Sequence, residues 1–239
     1  MAVIRVGSVG IGGISRGVHL PGIAKSPDLQ LVAVCDIDPE ALRYARENGR
    51  DYKDITVIVA HLGGGISVNL HHNGKIEDFI NDEEGPFSPE RAGGLPMFDV
   101  IKECFSGRYD YKGMMKLVKN QGGLMAHLGT TDSRAVEQMI QSGDAHAKLV
   151  YDAMILNIAK NIAKCAPNVC GKVDAILLTG GIAYSQYVTS EIEKRVSFLA
   201  PVVVYPGEDE MRSLALGGLR VLRGQETAKI FHKSESANG

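Results

Sequence analysis

Short runs that alternate between apolar and polar residues follow one another closely between residues 56 and 79. A β-branched run at 56–60 leads to three consecutive glycines at 63–65, and a second alternating run follows at 66–71. The dipeptide Asn73-Gly74 is typical of a two-residue hairpin turn, and a third run covers 75–79. The pattern therefore predicts three consecutive strands joined by tight turns.

After the third strand the period of the apolar positions lengthens to that of a helix, so a mainly helical region is expected next. Apolar runs at 173–178 and 200–205 then predict two further strands, each followed by a helix. From residue 55 the order is βββ, helices, β, α, β, α, which is an α/β plan and matches one half of the actin and sugar kinase-like ATPase fold. The predicted helices are 18–24, 39–48, 97–105, 111–119, 132–141, 144–165, 185–196 and 209–222.

The opening residues follow a different plan, that of a truncated Rossmann-like βαβ unit. Apolar runs at 2–9 and 29–35 flank a glycine-rich turn and a short helix. The turn contains Gly10 and Gly12, and Asp36 follows the second run, where it would accept a hydrogen bond from a ribose hydroxyl. The same pattern also fits a glycine-turned βαβ unit that binds no ligand.

The junction between the two plans lies within the helix predicted at 39–48. Strand 56–60 follows this helix and is a candidate third strand for the opening parallel sheet, although it must also pair with 66–71. The sequence leaves open whether the result is one mixed sheet or two domains that share a helix. The expected organisation is a Rossmann-like fragment at 1–48, an ATPase-like domain at 49–231 and a polar tail at 232–239.

Composition narrows the classes of partner. The 239 residues carry a formal net charge of -2, and the basic residues form no block, which argues against nucleic-acid binding. The four cysteines have neither paired zinc-ligand spacing nor a disulfide framework, so we expect reduced thiols in a cytoplasmic protein. No apolar run approaches the roughly 18 residues of a membrane span.

The glycines at 63–65 are the first candidate for chemistry. Consecutive glycines allow positive φ angles and leave the backbone amides open toward one point, which suits a phosphate oxygen. The loop connects two strands, and no Gly-Lys-Ser/Thr is present, so it is not a P-loop. A glycine-rich hairpin without a ligand is the structural alternative.

Two parts of the chain resemble two different families. The opening, about residues 1–45 with His19-Leu20-Pro21-Gly22, resembles the N-terminus of the glucose-fructose oxidoreductase and inositol dehydrogenase family. That resemblance implies NAD(P) at Gly10, Gly12 and Asp36. About residues 43–231 resemble the C-terminal half of the butyrate kinases, in the acetokinase family, through several spaced motifs.

The second resemblance implies an ATP site with Mg²⁺. One matching loop would bind the terminal phosphates through its backbone amides, and another would lie against the adenosine. The residues of these two loops are His61, Gly63, Gly64, Gly65, Gly180 and Gly181.

Three further residues gain roles by the same resemblance. Asp132 and Arg134 match a pair that contacts the nucleoside, and Arg91 matches an arginine that faces the phosphoryl group in transfer. Each has a structural alternative: Asp132 as a helix cap, Arg134 as a surface charge, and Arg91 as the ion-pair partner of Glu83 or Glu84. His61 could likewise serve only to satisfy a strand end.

The implied reaction is ATP plus butanoate giving ADP and butanoyl phosphate, with a nucleotide and a short-chain carboxylate as partners. The family's first phosphate loop, metal-orienting aspartate, second arginine and acyl-pocket wall belong to an N-terminal half that nothing here matches. The resemblance thus implies part of an ATP site. The alternatives are an NAD(P)-binding oxidoreductase fragment and a non-enzymatic scaffold in which the βαβ unit covers the sheet. Homo-oligomerisation through the kinase-like part is also left open.

Overall fold

The computed structural model describes residues 4–9, 29–35, 39–207, 219 and 222–224. The chain divides into two compact units, Glu40–Glu208 and a unit composed of Met1–Pro39 with Asp209–Gly239. The domain boundaries expected from the sequence stay a prediction. The candidate residues Gly10, Gly12 and Asp36, the helix predicted at 18–24 and most of the helix at 209–222 lie outside the described residues.

The smaller unit contains the two strands expected at the start of the chain. Strand β1 spans Ile4–Val9 and strand β2 spans Leu29–Cys35. They pair in parallel, with a register shift between Val6 and Gly7. The two strand predictions are therefore confirmed.

The larger unit is built on a mixed five-stranded sheet of order β5-β4-β3-β6-β7. Strands β3 and β4 are antiparallel, as are β4 and β5, whereas β3, β6 and β7 run parallel. The hairpin between β4 and β5 turns at Asn73 and Gly74 (φ 53° and 73°), as predicted. The strands are β3 Thr56–Leu62, β4 Ile66–His72, β5 Lys75–Ile80, β6 Ala175–Gly180 and β7 Val202–Pro206.

Strand β3 is the centre of this sheet, and both of its edges are occupied. Ile58 lies opposite Leu70 of β4 on one side and opposite Ile176 of β6 on the other. A strand has only two hydrogen-bonding edges, so β3 has none left for β1 or β2. The expectation that 56–60 could be a third strand of the opening sheet is therefore wrong.

The helices that the structure describes agree with the periodicity of the sequence, with one omission. Helix α4 was not expected because it has only six residues and begins at a glycine, too short for a 3.6-residue repeat to show. Of the helices that the structure describes, none combines the length and apolar character needed to cross a membrane. The helices are α1 Pro39–Glu47, α2 Met97–Cys104, α3 Tyr111–Lys119, α4 Gly123–Leu128, α5 Ser133–Gln141, α6 Ala145–Lys164 and α7 Gln186–Val196.

The two faces of the sheet bury different elements. On one face, alternate β3 residues such as Ile58 join a core that includes Met154 of α6 and Ile192 of α7. On the other face, Val57 and its neighbours pack with Ala41 of α1. Since successive strand residues point to opposite faces, the continuous apolar run of β3 is explained by burial on both sides.

Helix α1 is fixed to the second face by a polar contact at β7. The Tyr205 hydroxyl donates to Glu47 over 2.5 Å, and the Arg43 guanidinium lies 4.2 Å from the centre of the Tyr205 ring. Burial and the adjacent Glu47 carboxylate raise the pKa of Tyr205 to about 12. The tyrosine thus keeps its proton and its hydrogen bond across the physiological range.

A matched pair of glycines tests the packing of the loop before α4. Gly123 and Gly129 both have left-handed backbones (φ 57° and 70°). A Cβ on Gly123 would overlap the carbonyl oxygen of Ser88, whereas a Cβ on Gly129 would meet nothing within 4 Å. We expect Gly129→Ala to lower the free energy of unfolding by about 1–2 kcal/mol and Gly123→Ala by about 4 kcal/mol or more. Urea denaturation measures both, and equal losses would contradict the described packing.

Helix α7 supplies a pH-dependent contribution to stability. Arg195 and Lys194, each 2.6 Å from Glu191, lower the pKa of that carboxyl to about 2. A depressed pKa stabilises the fold above the unfolded value near 4.5, and that stabilisation is lost as pH falls from there toward 2. The difference in unfolding free energy between the wild type and Glu191→Gln should therefore shrink over this range. Glu193→Gln, at an exposed position of the same helix, leaves the two ion pairs of Glu191 intact and serves as the control.

Candidate functional site

The carboxyl edge of the parallel strands gathers the glycines of the chain's two candidate loops. Because β3 and β6 run parallel and His61 lies opposite Thr179, Gly63 and Gly180 leave the sheet side by side. Ligands of α/β sheets approach at this edge. The position of the strands alone therefore marks the edge as a candidate site.

Gly180 is required by a close approach of two backbones. A Cβ on this residue would lie 2.5 Å from the carbonyl oxygen of Leu62, and its φ is 91°. Gly180 also exchanges two backbone hydrogen bonds of 3.1 Å with Gly207, just beyond β7. Gly181 follows at the start of a 3₁₀ turn, Gly181–Tyr184. Any side chain at Gly180 would separate β6 from β3.

The turn at Gly63, Gly64 and Gly65 is formed without left-handed residues. None of the three has a φ in the positive range, so the expectation of positive φ is wrong. A Cβ on Gly65 would instead lie 2.7 Å from the Asp82 carboxylate, so the glycine is needed for close approach. The Gly63 amide donates to the Gly65 carbonyl at 3.2 Å. Within the described chain, the Gly64 and Gly65 amides donate to no protein acceptor.

A loop after β5 wraps this glycine turn. The Ser88 hydroxyl donates to the Gly64 carbonyl at 2.7 Å, and the Glu90 amide donates to the same oxygen at 3.3 Å. On its other side, the Glu90 carbonyl accepts from the Gly122 amide at 3.1 Å. The loop is also closed on itself, from the Ser88 amide to the Arg91 carbonyl. These bonds hold the segment from Ser88 to Arg91 in a fixed conformation.

Arg91 is fixed by this loop. Its Nε donates to Asp82 and its Nη1 to Glu90, both at 3.1 Å, and Nη1 also donates to the Lys119 carbonyl. Only 27% of the side chain is exposed. The guanidinium is therefore held in one orientation beside the glycine turn.

The ion-pair partners considered for Arg91 from the sequence, Glu83 and Glu84, are wrong. Glu83 pairs with Lys119 at 2.5 Å, and Glu84 is exposed. The carboxylate partners of Arg91 are Asp82 and Glu90, and Asp82 was missed because its position follows from strand pairing. Ile80 of β5 lies opposite Val68 near the start of β4, so Asp82 leaves the sheet at the edge of the glycine turn.

His61 lies at the same edge. It is the second-to-last residue of β3 and is half-buried, opposite Ser67 and Thr179. Its Nε2 would be 3.2 Å from a Cβ on Gly63, so the ring lies against the glycine turn. This position agrees with both hypotheses for His61, that it satisfies a strand end and that it belongs to the phosphate loop.

Asp132 and Arg134 pair with each other at the start of α5. The Asp132 carboxylate accepts from the Arg134 amide at 2.9 Å and from its Nε and Nη2 at 3.0 and 2.9 Å. These bonds lower the pKa of Asp132. The Arg134 side chain is 88% exposed. Asp132 is therefore a helix cap and Arg134 a surface charge, as the structural alternatives stated. The contact of these two residues with a nucleoside stays a prediction.

A half-buried acidic residue, Glu137, connects α5 to the Gly181–Tyr184 turn. Its carboxylate accepts from the Ser185 hydroxyl at 2.5 Å and from the Tyr151 hydroxyl at 3.2 Å. Ser185 in turn caps α7 by accepting from the Val188 amide. Burial and Glu137 raise the pKa of Tyr151, so its hydroxyl remains a donor. Sequence reasoning missed Glu137 because its partners lie on other elements.

The structure thus brings together His61, the three glycines of the turn, Arg91 and Gly180. It joins Asp132 and Arg134 to this edge only indirectly, through Glu137 and Ser185. Among the described residues, no group of three or more His, Cys, Asp or Glu side chains is arranged to hold a metal ion. The fixed arginine and the two open amides lie close together and supply the donors that an anionic group requires.

Comparison with known proteins identifies relatives of this domain. Residues 41–203 match the model of the acetokinase family. The chain is 47% identical over 215 residues to butyrate kinase 1 of Clostridium acetobutylicum and 49% identical over 212 residues to butyrate kinase 2 of the same organism. These matches cover 89% and 88% of this chain but only 61% and 60% of the relatives. The chain therefore spans about three fifths of the length of these curated relatives.

A solved structure supports the same assignment at the level of the fold. The crystal structure of Porphyromonas gingivalis acetate kinase superimposes with a TM-score of 0.70 at 22% identity, over 77% of this chain and 53% of that one. The family match includes the glycine turn, Arg91, α5 and β6. Since this match covers more than half of the chain, the protein belongs to the acetokinase family.

Proposed function

We propose that the carboxyl edge of the sheet binds the phosphates of ATP and supports phosphoryl transfer to a short-chain carboxylate, as in a butyrate kinase. The observation that carries the proposal is the pair of open amides at Gly64 and Gly65 beside the fixed guanidinium of Arg91. Open amides and an arginine fork are the donors that phosphate oxygens need. We take the carboxylate to be butanoate because the relatives are named butyrate kinases.

Each residue has a defined task in this proposal. The Gly64 and Gly65 amides donate to the terminal phosphates, and Arg91 stabilises charge on the phosphoryl group as it moves. The turn that begins at Gly180 and Gly181 lies against the adenosine, with Asp132 and Arg134 at the nucleoside. A carboxylate oxygen of butanoate attacks the γ-phosphorus, the bond to the bridging oxygen of ADP breaks, and butanoyl phosphate and ADP result.

The nucleotide is expected with Mg²⁺, which supplies charge neutralisation at the phosphates. The carboxylates described beside the glycine turn, Asp82 and Glu90, are paired with Arg91, so Mg²⁺ would be brought by the phosphates of the nucleotide. The residues described here hold the phosphates and orient the guanidinium. The whole reaction remains part of the proposal, since the chain covers 61% of butyrate kinase 1.

Calorimetry of the full chain tests the nucleotide site. Mg-ATP should bind with measurable heat. Any heat that NAD gives at the same concentration should be unchanged in a variant of the sheet edge. Gly180→Ala should abolish Mg-ATP binding, because its Cβ would meet the Leu62 backbone. Gly171→Ala is the matched control, since Gly171 also has a positive φ but a Cβ there would meet nothing within 4 Å. A wild type that does not bind Mg-ATP, or a Gly180→Ala that binds it normally, would contradict the proposal.

Glu137 gives a second prediction about the nucleoside side of the site. Glu137→Ala removes the acceptor of the Ser185 and Tyr151 hydroxyls and so loosens α5 from the Gly181–Tyr184 turn. We expect the dissociation constant of Mg-ADP to rise about tenfold, the equivalent of one or two lost hydrogen bonds. Gln138→Ala, at an exposed position of the same helix, should leave it unchanged. If Glu137→Ala and the wild type bind Mg-ADP with equal affinity, the proposal that the nucleoside binds at this end of the sheet is wrong.

A further inference from the structure

We infer that Asp82 is a positioning residue that orients Arg91 so that its Nη2 group is left to meet the phosphoryl group. The inference rests on the proposed function and extends it, because neither the sequence motifs nor the family match assigns a role to Asp82.

The argument begins with the donors of the guanidinium. Arginine has five N–H donors, one on Nε and two on each terminal nitrogen. In Arg91 the Nε donor goes to Asp82, and Nη1 donates to Glu90 and to the Lys119 carbonyl. Within the described residues no acceptor takes the Nη2 donors. One end of the fork is anchored by protein, and the other end is available to a ligand.

Asp82 lies between the Arg91 guanidinium and the glycine turn. The same carboxylate oxygen that accepts from Arg91 Nε would lie 2.7 Å from a Cβ on Gly65. Glu90 is similarly placed, 3.5 Å from a Cβ on Gly64. The two anchors of Arg91 therefore contact the residues whose amides are open. The guanidinium and the amides are held as one unit.

Orientation matters more than charge at such a site. With Nε and Nη1 engaged, the two N–H groups of Nη2 are the donors left for phosphate oxygens, and a rotated guanidinium would direct them elsewhere. Phosphoryl transfer depends mainly on positioning, so small displacements carry large rate penalties.

A purely structural role explains the Asp82 contact less well. Asp82 and Arg91 are 39% and 27% exposed, and ion pairs of that exposure contribute little to stability. Asp82 also brings negative charge close to a candidate phosphate site, where charge alone would favour a neutral residue. Fixing the arginine accounts for both observations.

The test uses the ratio of the Mg-ADP to the Mg-ATP dissociation constant, which isolates the γ-phosphate. Calorimetry of the full chain gives this ratio for the wild type, Asp82→Asn, Arg91→Ala and the double variant. Asp82→Asn should lower the ratio about tenfold while changing the Mg-ADP constant less than about twofold, as expected for one misdirected charge-assisted hydrogen bond. In the Arg91→Ala background Asp82→Asn should have no further effect, because it acts through the arginine.

Glu84→Gln is the matched control. It makes the same charge change in the same loop, and Glu84 is not among the described partners of Arg91. Its ratio should equal that of the wild type. If Glu84→Gln lowers the ratio as much as Asp82→Asn, the effect is one of net charge and the inference is wrong.

The remaining outcomes distinguish a failure of the positioning role of Asp82 from a failure of the proposed function. A wild type with a γ-phosphate preference that Asp82→Asn leaves intact, or additive effects in the double variant, would overturn the positioning role alone. A wild type that binds Mg-ADP and Mg-ATP equally would overturn both. If Asp82→Asn does not fold, Arg91→Lys decides: it keeps the charge without the fork, so an unchanged ratio would refute an orientation role.

Discussion

The candidate site depends on how closely the backbone of β6 passes that of β3. Gly180 touches the Leu62 backbone, and only a residue without a side chain allows it. Because the two strands are parallel, this contact also fixes where each turn leaves the sheet, so the glycine turn and the Gly181–Tyr184 turn become neighbours. The buried strands on either side give this edge a rigid base.

Polar contacts then attach loops and helix ends to that base. The loop with Ser88 and Glu90 is bonded to Gly64 on one side and to Gly122 on the other, and it carries Arg91. Glu137 does the same for α5 through Ser185. The functional side chains are thus supplied by loops and helix ends, whereas their positions are set by the sheet.

The sequence predicted those features that depend on local pattern. Strand β3 and the hairpin at Asn73-Gly74 follow from β-branched runs and turn residues, and they were located correctly. The features it could not predict depend on pairing between distant segments. Asp82 reaches Arg91 because of the register of β4 and β5, and β3 cannot join β1 because β6, more than 100 residues later, takes its second edge. The reason given for the glycines at 63–65 is partly wrong, since none of them adopts a positive φ and Gly65 is needed because a Cβ there would meet Asp82.

The central claim is that the amides of the glycine turn contact the phosphates of a nucleotide. The most direct measurement is a ¹H–¹⁵N NMR spectrum of the chain labelled with ¹⁵N-glycine, recorded with Mg-ATP and with adenosine. The chain has 28 glycines, so the spectrum contains few signals. We predict that Mg-ATP shifts Gly64 and Gly65 strongly and that adenosine shifts Gly180 and Gly181 but leaves Gly64 and Gly65 in place. Shifts with Mg-ATP that spare Gly64 and Gly65 would contradict the account.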